Sequence, residues 1–257
     1  MKGRYLIPIF AILVSVCQGQ NNLANGDSNQ NPYSKRIEDF IRPISQHHYS
    51  TKEDLIRSIF RVAHRKFLRN YKAYSQPEDI FSNRTYDCLS GTYFLSLVFE
   101  RLHIDYKLIE TNYHIFIIAQ TERGEILLET TDRFGGMITD AQKIKEKILL
   151  YKEFNRSNKN FYLSSVEMYN EISPEKLLGL LYFNKAIVSF KKNELVESSF
   201  FLEQSWKIYD NARIETFTPI LLKAIETRRV NLDIKEDLLL KLRTHQSAST
   251  RTWALAN

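Results

Sequence analysis

Apolar residues recur at helical spacing in the first half of the chain. After polar capping residues at 50–54, apolar side chains three or four positions apart predict a helix that extends to about residue 74. Pro77 interrupts this pattern. Capping residues at 85–87 then precede a second apolar face over 88–102, which predicts another helix.

The segment that follows has the composition of β-strands. Residues 106–110, 113–120 and 125–131 are rich in β-branched, aromatic and aliphatic side chains, and polar residues at 121–124 predict a turn between the last two. Strands joined by a short turn are antiparallel. We therefore predict an α+β fold in which a helix packs on an antiparallel sheet.

Helical spacing returns in the last third of the chain. Residues 177–192 and 194–209 predict two helices joined by a turn at Asn193, with Pro174 at the start of the first. Small residues fall where the helices would cross, at Ala186, Ser198 and Ser205. This hairpin resembles a tetratricopeptide repeat, which implies stacking on further helices, predicted over 218–228 and 234–243, and binding of a protein partner.

These patterns divide the chain into five predicted segments. They are a signal peptide at 1–19, a flexible tether at 20–32, an α+β domain at 33–154, a helical repeat-like unit at 161–243 and a flexible tail at 244–257.

The first segment carries a basic start, an apolar run over 5–16 and then small polar residues, which is typical of a secretory signal peptide. The run is short for a membrane span, which needs about 20 residues. Residues 14–17 also distantly resemble a lipoprotein signal, with Cys17 as the acylated residue. We expect an exported protein, periplasmic or secreted, with membrane attachment only if Cys17 is lipidated.

Composition narrows the classes of function. The chain is 43% hydrophobic and 26% charged, which is ordinary for a globular protein. Its net charge of +6 is spread in short groups beside acids, so a nucleic-acid partner is not expected. Ligand spacings for zinc or calcium are absent from the sequence, and we expect no cofactor.

Cys88 is the strongest candidate for chemistry. It becomes the only thiol once Cys17 is cleaved off or acylated, so an intramolecular disulfide is excluded. The alternative is a small buried residue of the core. Cys88 opens a predicted helix, however, and the free amides and dipole at that position stabilise a thiolate and can receive an oxyanion.

His114 is within reach of Cys88. A helix over 88–102 advances about 21 Å. The extended chain from His103 to His114 spans up to about 36 Å, which is enough for a strand to return along the helix. His114 then lies at the start of the next strand, near the thiol.

Two acids, Glu129 and Asp132, end the following strand near His114. A two-residue hairpin turn near Arg123 favours Asp132, and a longer loop or a bulge favours Glu129. Either carboxylate would orient the imidazole and stabilise its charged form. The alternative is that His114 packs in the sheet and the acids cap the strand end.

The order of these residues resembles the transglutaminase-like, papain-related superfamily over about residues 56–136. The most specific parts are YDCLSGTYFLSLVFERL, YHIF and LLETTD, in which 129–131 match the strand-ending Asp-Pro-Thr of that family. The resemblance implies Cys88 as nucleophile, His114 as proton carrier and Glu129 as the acid. Glutamate in place of aspartate leaves Asp132 as a rival.

The resemblance implies an exported thiol enzyme that acts on amide or peptide bonds of a protein or peptide substrate. Cross-linking, deamidation and proteolysis all stay open. The alternative is a non-catalytic scaffold of the same fold that binds another exported protein through its helical unit.

Overall fold

The computed structural model describes residues 33–157, 168–228 and 230–256. Contacts divide the chain into two compact units, residues 1–49 and 50–257. The described part of the first unit contains helix α1 (Ser34–Ser45). The predicted signal peptide and tether lie outside the described residues.

Helix α2 (Lys52–Lys66) opens the second unit. The Thr51 hydroxyl accepts a hydrogen bond from the Asp54 amide at 3.1 Å, which caps the helix start. Its buried side chains are Ile56, Ile59, Phe60, Ala63 and His64. The helix is shorter than predicted because the chain after residue 66 extends into a strand instead.

That strand belongs to a small parallel pair that leads to the cysteine. Strand β1 (Asn70–Tyr71) pairs with β2 (Thr85–Tyr86), and helix α3 (Pro77–Ser82) lies between them in the chain. Helix α4 (Cys88–Arg101) begins two residues after β2. Ten of its 14 residues are buried, so the helix that carries Cys88 is a core element.

The main sheet has five strands in the order β6-β5-β4-β3-β7, all antiparallel. The strands are β3 (Tyr106–Thr111), β4 (Ile115–Thr121), β5 (Gly124–Leu128), β6 (Met137–Ile138) and β7 (Tyr169–Ile172). Helix α5 (Ala141–Ser157) follows β6, and its Ile144 packs with Phe116, Ile118 and Leu127 of the sheet.

Four helices complete the unit, and they are α6 (Pro174–Lys191), α7 (Leu195–Tyr209), α8 (Ala212–Thr227) and α9 (Leu232–Ala256). Asn193 forms the turn between α6 and α7 with φ of 66°. Where these helices cross, the Ser198 hydroxyl donates to the Ala186 carbonyl at 2.9 Å, and the Ser205 hydroxyl donates to the Gly179 carbonyl at 2.7 Å. The predicted small residues therefore lie at the crossing.

The predicted α+β domain and the predicted helical unit belong to the same compact unit of the structure from residue 50 onward. Strand β7 lies within the segment predicted as the helical unit, yet it pairs with β3 of the sheet, and residues 50–257 form one compact unit. At the other end, the backbone of α9 remains helical to Ala256, through the segment predicted as a flexible tail.

The predicted α+β class is confirmed. In the described ranges 33–157, 168–228 and 230–256, none of the helices combines the length and apolar character that a bilayer span requires.

Candidate functional site

Cys88 is the first residue of helix α4, and its position is set by the residue before it. The Asp87 carboxylate accepts hydrogen bonds from the Ser90 amide and hydroxyl, each at 2.8 Å, while the Asp87 amide donates to the Ser90 hydroxyl at 2.9 Å. This reciprocal cap fixes the start of the helix. Cys88 is partly exposed and is not in a disulfide.

His114 occupies the turn between β3 and β4. The Thr111 amide donates to the His114 carbonyl at 2.8 Å, and the His114 amide donates to the Thr111 hydroxyl at 3.1 Å. These bonds close the turn one residue before β4. Cys88 and His114 line the same cavity, and negative charge at Cys88 raises the pKa of His114, so the chain returns toward the thiol as predicted.

The His114 ring is held from its other side by Glu129. Nε2 of His114 donates to Oε2 of Glu129, which is almost fully buried, with 5% of its side chain exposed. Because Nε2 is engaged in this bond, Nδ1 is the ring nitrogen that remains available to another group. The structure thus places Cys88 and His114 on one cavity, with His114 bound to Glu129.

Glu129 receives three further hydrogen bonds. Its Oε1 accepts from the Thr131 amide at 3.1 Å and from the Thr131 hydroxyl at 2.7 Å, and Oε2 accepts from the Tyr151 hydroxyl at 2.5 Å. Both carboxylate oxygens are therefore saturated by donors, as a buried anion requires.

The hairpin register explains why Glu129 rather than Asp132 meets the histidine. Ile117 lies opposite Leu128 across a two-residue turn. The pairing ends at Leu128, and the chain then turns, with the Asp132 amide donating to the Glu129 carbonyl at 3.3 Å. Glu129 therefore follows directly on the last paired residue, and Asp132 lies in the turn. The expectation that a two-residue hairpin favours Asp132 is corrected, because the strand does not continue as far as residue 132.

Asp132 has a local role instead. Its carboxylate accepts hydrogen bonds from the amides of Phe134 at 3.1 Å and Gly135 at 2.8 Å, which shapes the turn between β5 and β6. Gly136 is needed in this turn, because a Cβ there would lie 2.2 Å from the carbonyl oxygens of Asp132 and Glu129. The structure therefore separates the two acids into a site residue and a turn residue.

Tyr151 of helix α5 is a site residue that the sequence does not reveal. Its ring lies 5.4 Å from that of His114 and stacks on Phe116 at 5.1 Å, in addition to the hydrogen bond to Glu129. Residues 137–151 read only as a polar helix, and no local motif marks Tyr151. The pairing becomes visible only when α5 packs on the sheet.

The charges of His114 and Glu129 stabilise each other. Burial alone lowers the pKa of His114, but hydrogen bonds and negative charge from Cys88 and Glu129 outweigh it and raise this pKa to about 10. Burial raises the pKa of Glu129, but the His114 contact and the hydrogen bonds from Tyr151 and Thr131 reverse this and lower it to about 2. The imidazolium and the carboxylate are therefore both charged near neutral pH.

This pairing predicts a defined dependence of stability on pH. His114 contributes fully below its ordinary pKa of 6.5, and its contribution is lost as the pH rises toward about 10. Glu129 contributes fully above its ordinary pKa of 4.5, and its contribution is lost as the pH falls toward about 2. We expect the pair to stabilise the fold most between about pH 4.5 and 6.5.

Urea unfolding measured across pH checks this expectation. The wild type is compared with the double variant His114→Asn, Glu129→Gln, which removes both charges together. The difference in unfolding free energy should be largest between about pH 4.5 and 6.5 and should fall on both sides. A difference that does not vary with pH would contradict the ion pair.

Arg213, at the start of helix α8, ties the His114 turn to the helical region. Its guanidinium pairs with Glu110 of β3, whose side chain is fully buried, and donates to the carbonyls of Thr111 at 2.6 Å and Asn112 at 3.2 Å. The Tyr209 hydroxyl donates to the same glutamate at 2.5 Å. Arg213, which lies 103 positions after Glu110 in the sequence, thus holds the turn that presents His114.

The thiol and the imidazole open onto a cavity of about 570 Å³. One wall is formed by residues around the start of α4 and the His114 turn, and the other by helices α6 and α8. The lining is mostly apolar, and its aromatic members are Tyr71, Tyr74, Tyr113, Phe183, Phe190 and Phe217. No sequence pattern indicates that the helical region contributes to this site.

A polar contact joins the two walls near the thiol. The amide of Asn184 in α6 donates to Oδ2 of Asp87 at 3.4 Å, beside the first turn of α4. Burial raises the pKa of Asp87, and the hydrogen bonds to its carboxylate oppose that rise. Helix α6 therefore contacts the residue that caps the cysteine helix.

The site thus combines a thiol, an imidazole and a buried carboxylate beside a cavity that can hold an organic group, and side chains of these types can act as nucleophile, proton carrier and orienting acid. Comparisons of the chain with protein-family models, with curated protein sequences and with solved structures find no match, and a function is therefore assigned from the chemistry of these side chains.

Proposed function

We propose that this protein is a transglutaminase-like thiol enzyme that acts on amide or peptide bonds. The observation that carries the proposal is the placement of Cys88 and His114 on one cavity, with the His114 imidazole bound to the buried Glu129 carboxylate. A histidine held by a buried carboxylate on one nitrogen and facing a thiol with the other can activate a nucleophile.

The first half of the reaction forms an acyl-enzyme. The Cys88 sulfur attacks the substrate carbonyl carbon, and the electron pair of the carbonyl moves to oxygen. His114 then gives a proton to the leaving amine as the carbon–nitrogen bond breaks, which leaves a thioester on Cys88. Glu129 keeps the imidazole oriented and stabilises its positive charge during this step.

The oxyanion of this step needs a donor at the start of α4. The Asp87 carboxylate already accepts a hydrogen bond from the Ser90 amide at 2.8 Å. The Cys88 amide is therefore the candidate donor at this helix start, where the helix dipole also favours negative charge.

The second half releases the acyl group. His114 removes a proton from water or from an amine, which attacks the thioester carbonyl and displaces the Cys88 sulfur. Water gives hydrolysis and an amine gives acyl transfer, and both restore the thiol. The substrate is a protein or peptide, and the signal-like residues 1–19 favour an exported site of action.

Alkylation of Cys88 tests the proposal directly. We expect iodoacetamide to label Cys88 in the folded wild type at pH 7, as located by peptide mass mapping. His114→Asn should slow labelling at least about tenfold, since the thiolate is the form that reacts. His103→Asn is the matched control, because His103 is exposed and its φ of 51° suits asparagine.

Turnover is measured on a pool of fluorogenic peptide amides. Cys88→Ser should remove detectable release of the fluorophore, and His114→Asn should lower the rate by about 100-fold or more. Labelling that His114→Asn leaves unchanged, together with no release above the Cys88→Ser background, would contradict the enzyme and favour the non-catalytic scaffold.

A further inference from the structure

The cavity beside Cys88 is built from parts of the chain that are distant in sequence. Cys88 and His114 lie on one wall, and Phe183 and Ile187 of α6 face them with Phe217 of α8. The helical region therefore forms part of the space in front of the thiol. A substrate bound for attack on its carbonyl meets these helices in the same molecule.

The two walls differ in the contacts that they offer. Helices α6 and α8 present side chains only, because the backbone groups inside a helix bond to one another. They provide no ladder of free amides and carbonyls for an extended peptide backbone. The apolar part of this cavity therefore suits a single side chain and not a run of peptide.

The lining also indicates the chemistry of that side chain. Phe183 and Phe217 meet edge to face with ring centroids 5.9 Å apart, and aromatic guests pack well in such surroundings. The volume of about 570 Å³ lies within the range of sites for small organic groups. Lys191 lies 4.1 Å over the Tyr74 ring and makes this part of the lining unfavourable for a cationic guest.

We propose that the cavity is a specificity pocket for an aromatic or large aliphatic side chain on the acyl side of the scissile amide, with Phe183 as a specificity-determining residue. This inference rests on the proposed function for the identity of the reacting bond. It adds that α6 and α8 select the substrate, and that residues with small or cationic side chains are poor acyl donors.

Reversible binding tests the pocket without requiring any reaction. The Cys88→Ser protein is titrated with N-acetylphenylalaninamide, N-acetylglycinamide and N-acetyllysinamide, and each Kd is measured by NMR. We expect the phenylalanine compound to bind about tenfold to 100-fold more tightly than the glycine compound, because its ring leaves water. The lysine compound should bind no better than glycine.

A matched pair of variants locates the effect. Phe183→Ala should lower the preference for phenylalanine over glycine at least about fivefold, through the loss of an aromatic contact and of burial. Phe201 is also partly buried and packs on the same helical core, but it does not line the cavity. Phe201→Ala should therefore leave the preference unchanged. The comparison of the three ligands uses only the Cys88→Ser protein, so it holds even if neither phenylalanine variant folds.

Chloromethyl ketones of the same three residues then connect the pocket to the thiol. In the wild type, Cys88 displaces chloride as its carbon–sulfur bond forms, and the phenylalanine reagent should label fastest. Equal Kd values for phenylalanine and glycine, or an equal effect of Phe201→Ala, would overturn the pocket. Selective phenylalanine binding with no labelling at Cys88 would instead support the pocket and count against the proposed enzyme.

Discussion

Replacing Glu129 with glutamine is expected to lower kcat/KM for amide turnover by about 10,000-fold. Both carboxylate oxygens of Glu129 accept hydrogen bonds, and the donors are His114, Tyr151 and Thr131. A glutamine that keeps its oxygen toward Thr131 turns its NH₂ group toward Nε2 of His114. The imidazole then carries its proton on Nδ1 and cannot accept one from the thiol.

The control for this change is Asp132→Asn, the same acid-to-amide substitution at the acid in the turn after β5. Asparagine retains the oxygen that accepts from the amides of Phe134 and Gly135. We expect its turnover to stay within about twofold of the wild type. Steady-state kinetics of both variants decide between the acids, and a larger loss from Asp132→Asn would refute the assignment of Glu129.

The second large effect is expected on stability. Arg213→Met should lower the unfolding free energy by about 3–5 kcal/mol, because the fully buried Glu110 loses its ion-pair partner. The carbonyls of Thr111 and Asn112 also lose their donor. Urea unfolding at neutral pH measures the change, and turnover should fall too because these carbonyls belong to the turn that presents His114.

Two further variants make this expectation specific. Arg243→Met removes an exposed pair with Glu226, at 2.7 Å, and should change stability by less than about 1 kcal/mol. The double variant Arg213→Met, Glu110→Leu removes both buried charges and should recover much of the loss. A double variant as unstable as Arg213→Met alone would show that the loss does not come from an unpaired carboxylate.

Sequence patterns are sufficient to predict the local part of the site. Cys88 opens a helix because Asp87 and Ser90 cap it, and capping is a property of neighbouring residues. The strand before His114 can return to the thiol because its length permits it. The sequence leaves the choice of acid open, because hairpin pairing alone does not show that β5 ends at Leu128 and that a turn follows at Glu129.

The remainder of the site depends on packing between distant elements. Tyr151 reaches Glu129 only because α5 packs on the sheet, and Arg213 reaches Glu110 only because the start of α8 lies near the end of β3. Neither residue lies in a motif, and arginine and tyrosine are ordinary at exposed helix positions. Helical spacing shows which faces are apolar, but it does not show which partner covers them.

The long separation between Glu110 and Arg213 also sets an order of events during synthesis. A ribosome adds about 5–20 residues per second, so Arg213 is made roughly 5–20 s after Glu110, which lies 103 positions earlier. Cys88, His114 and Glu129 are all made before the helical wall that faces them. A newly made chain therefore contains Cys88 before it contains the charge that secures the His114 turn, and full assembly of the site waits for the last third of the protein.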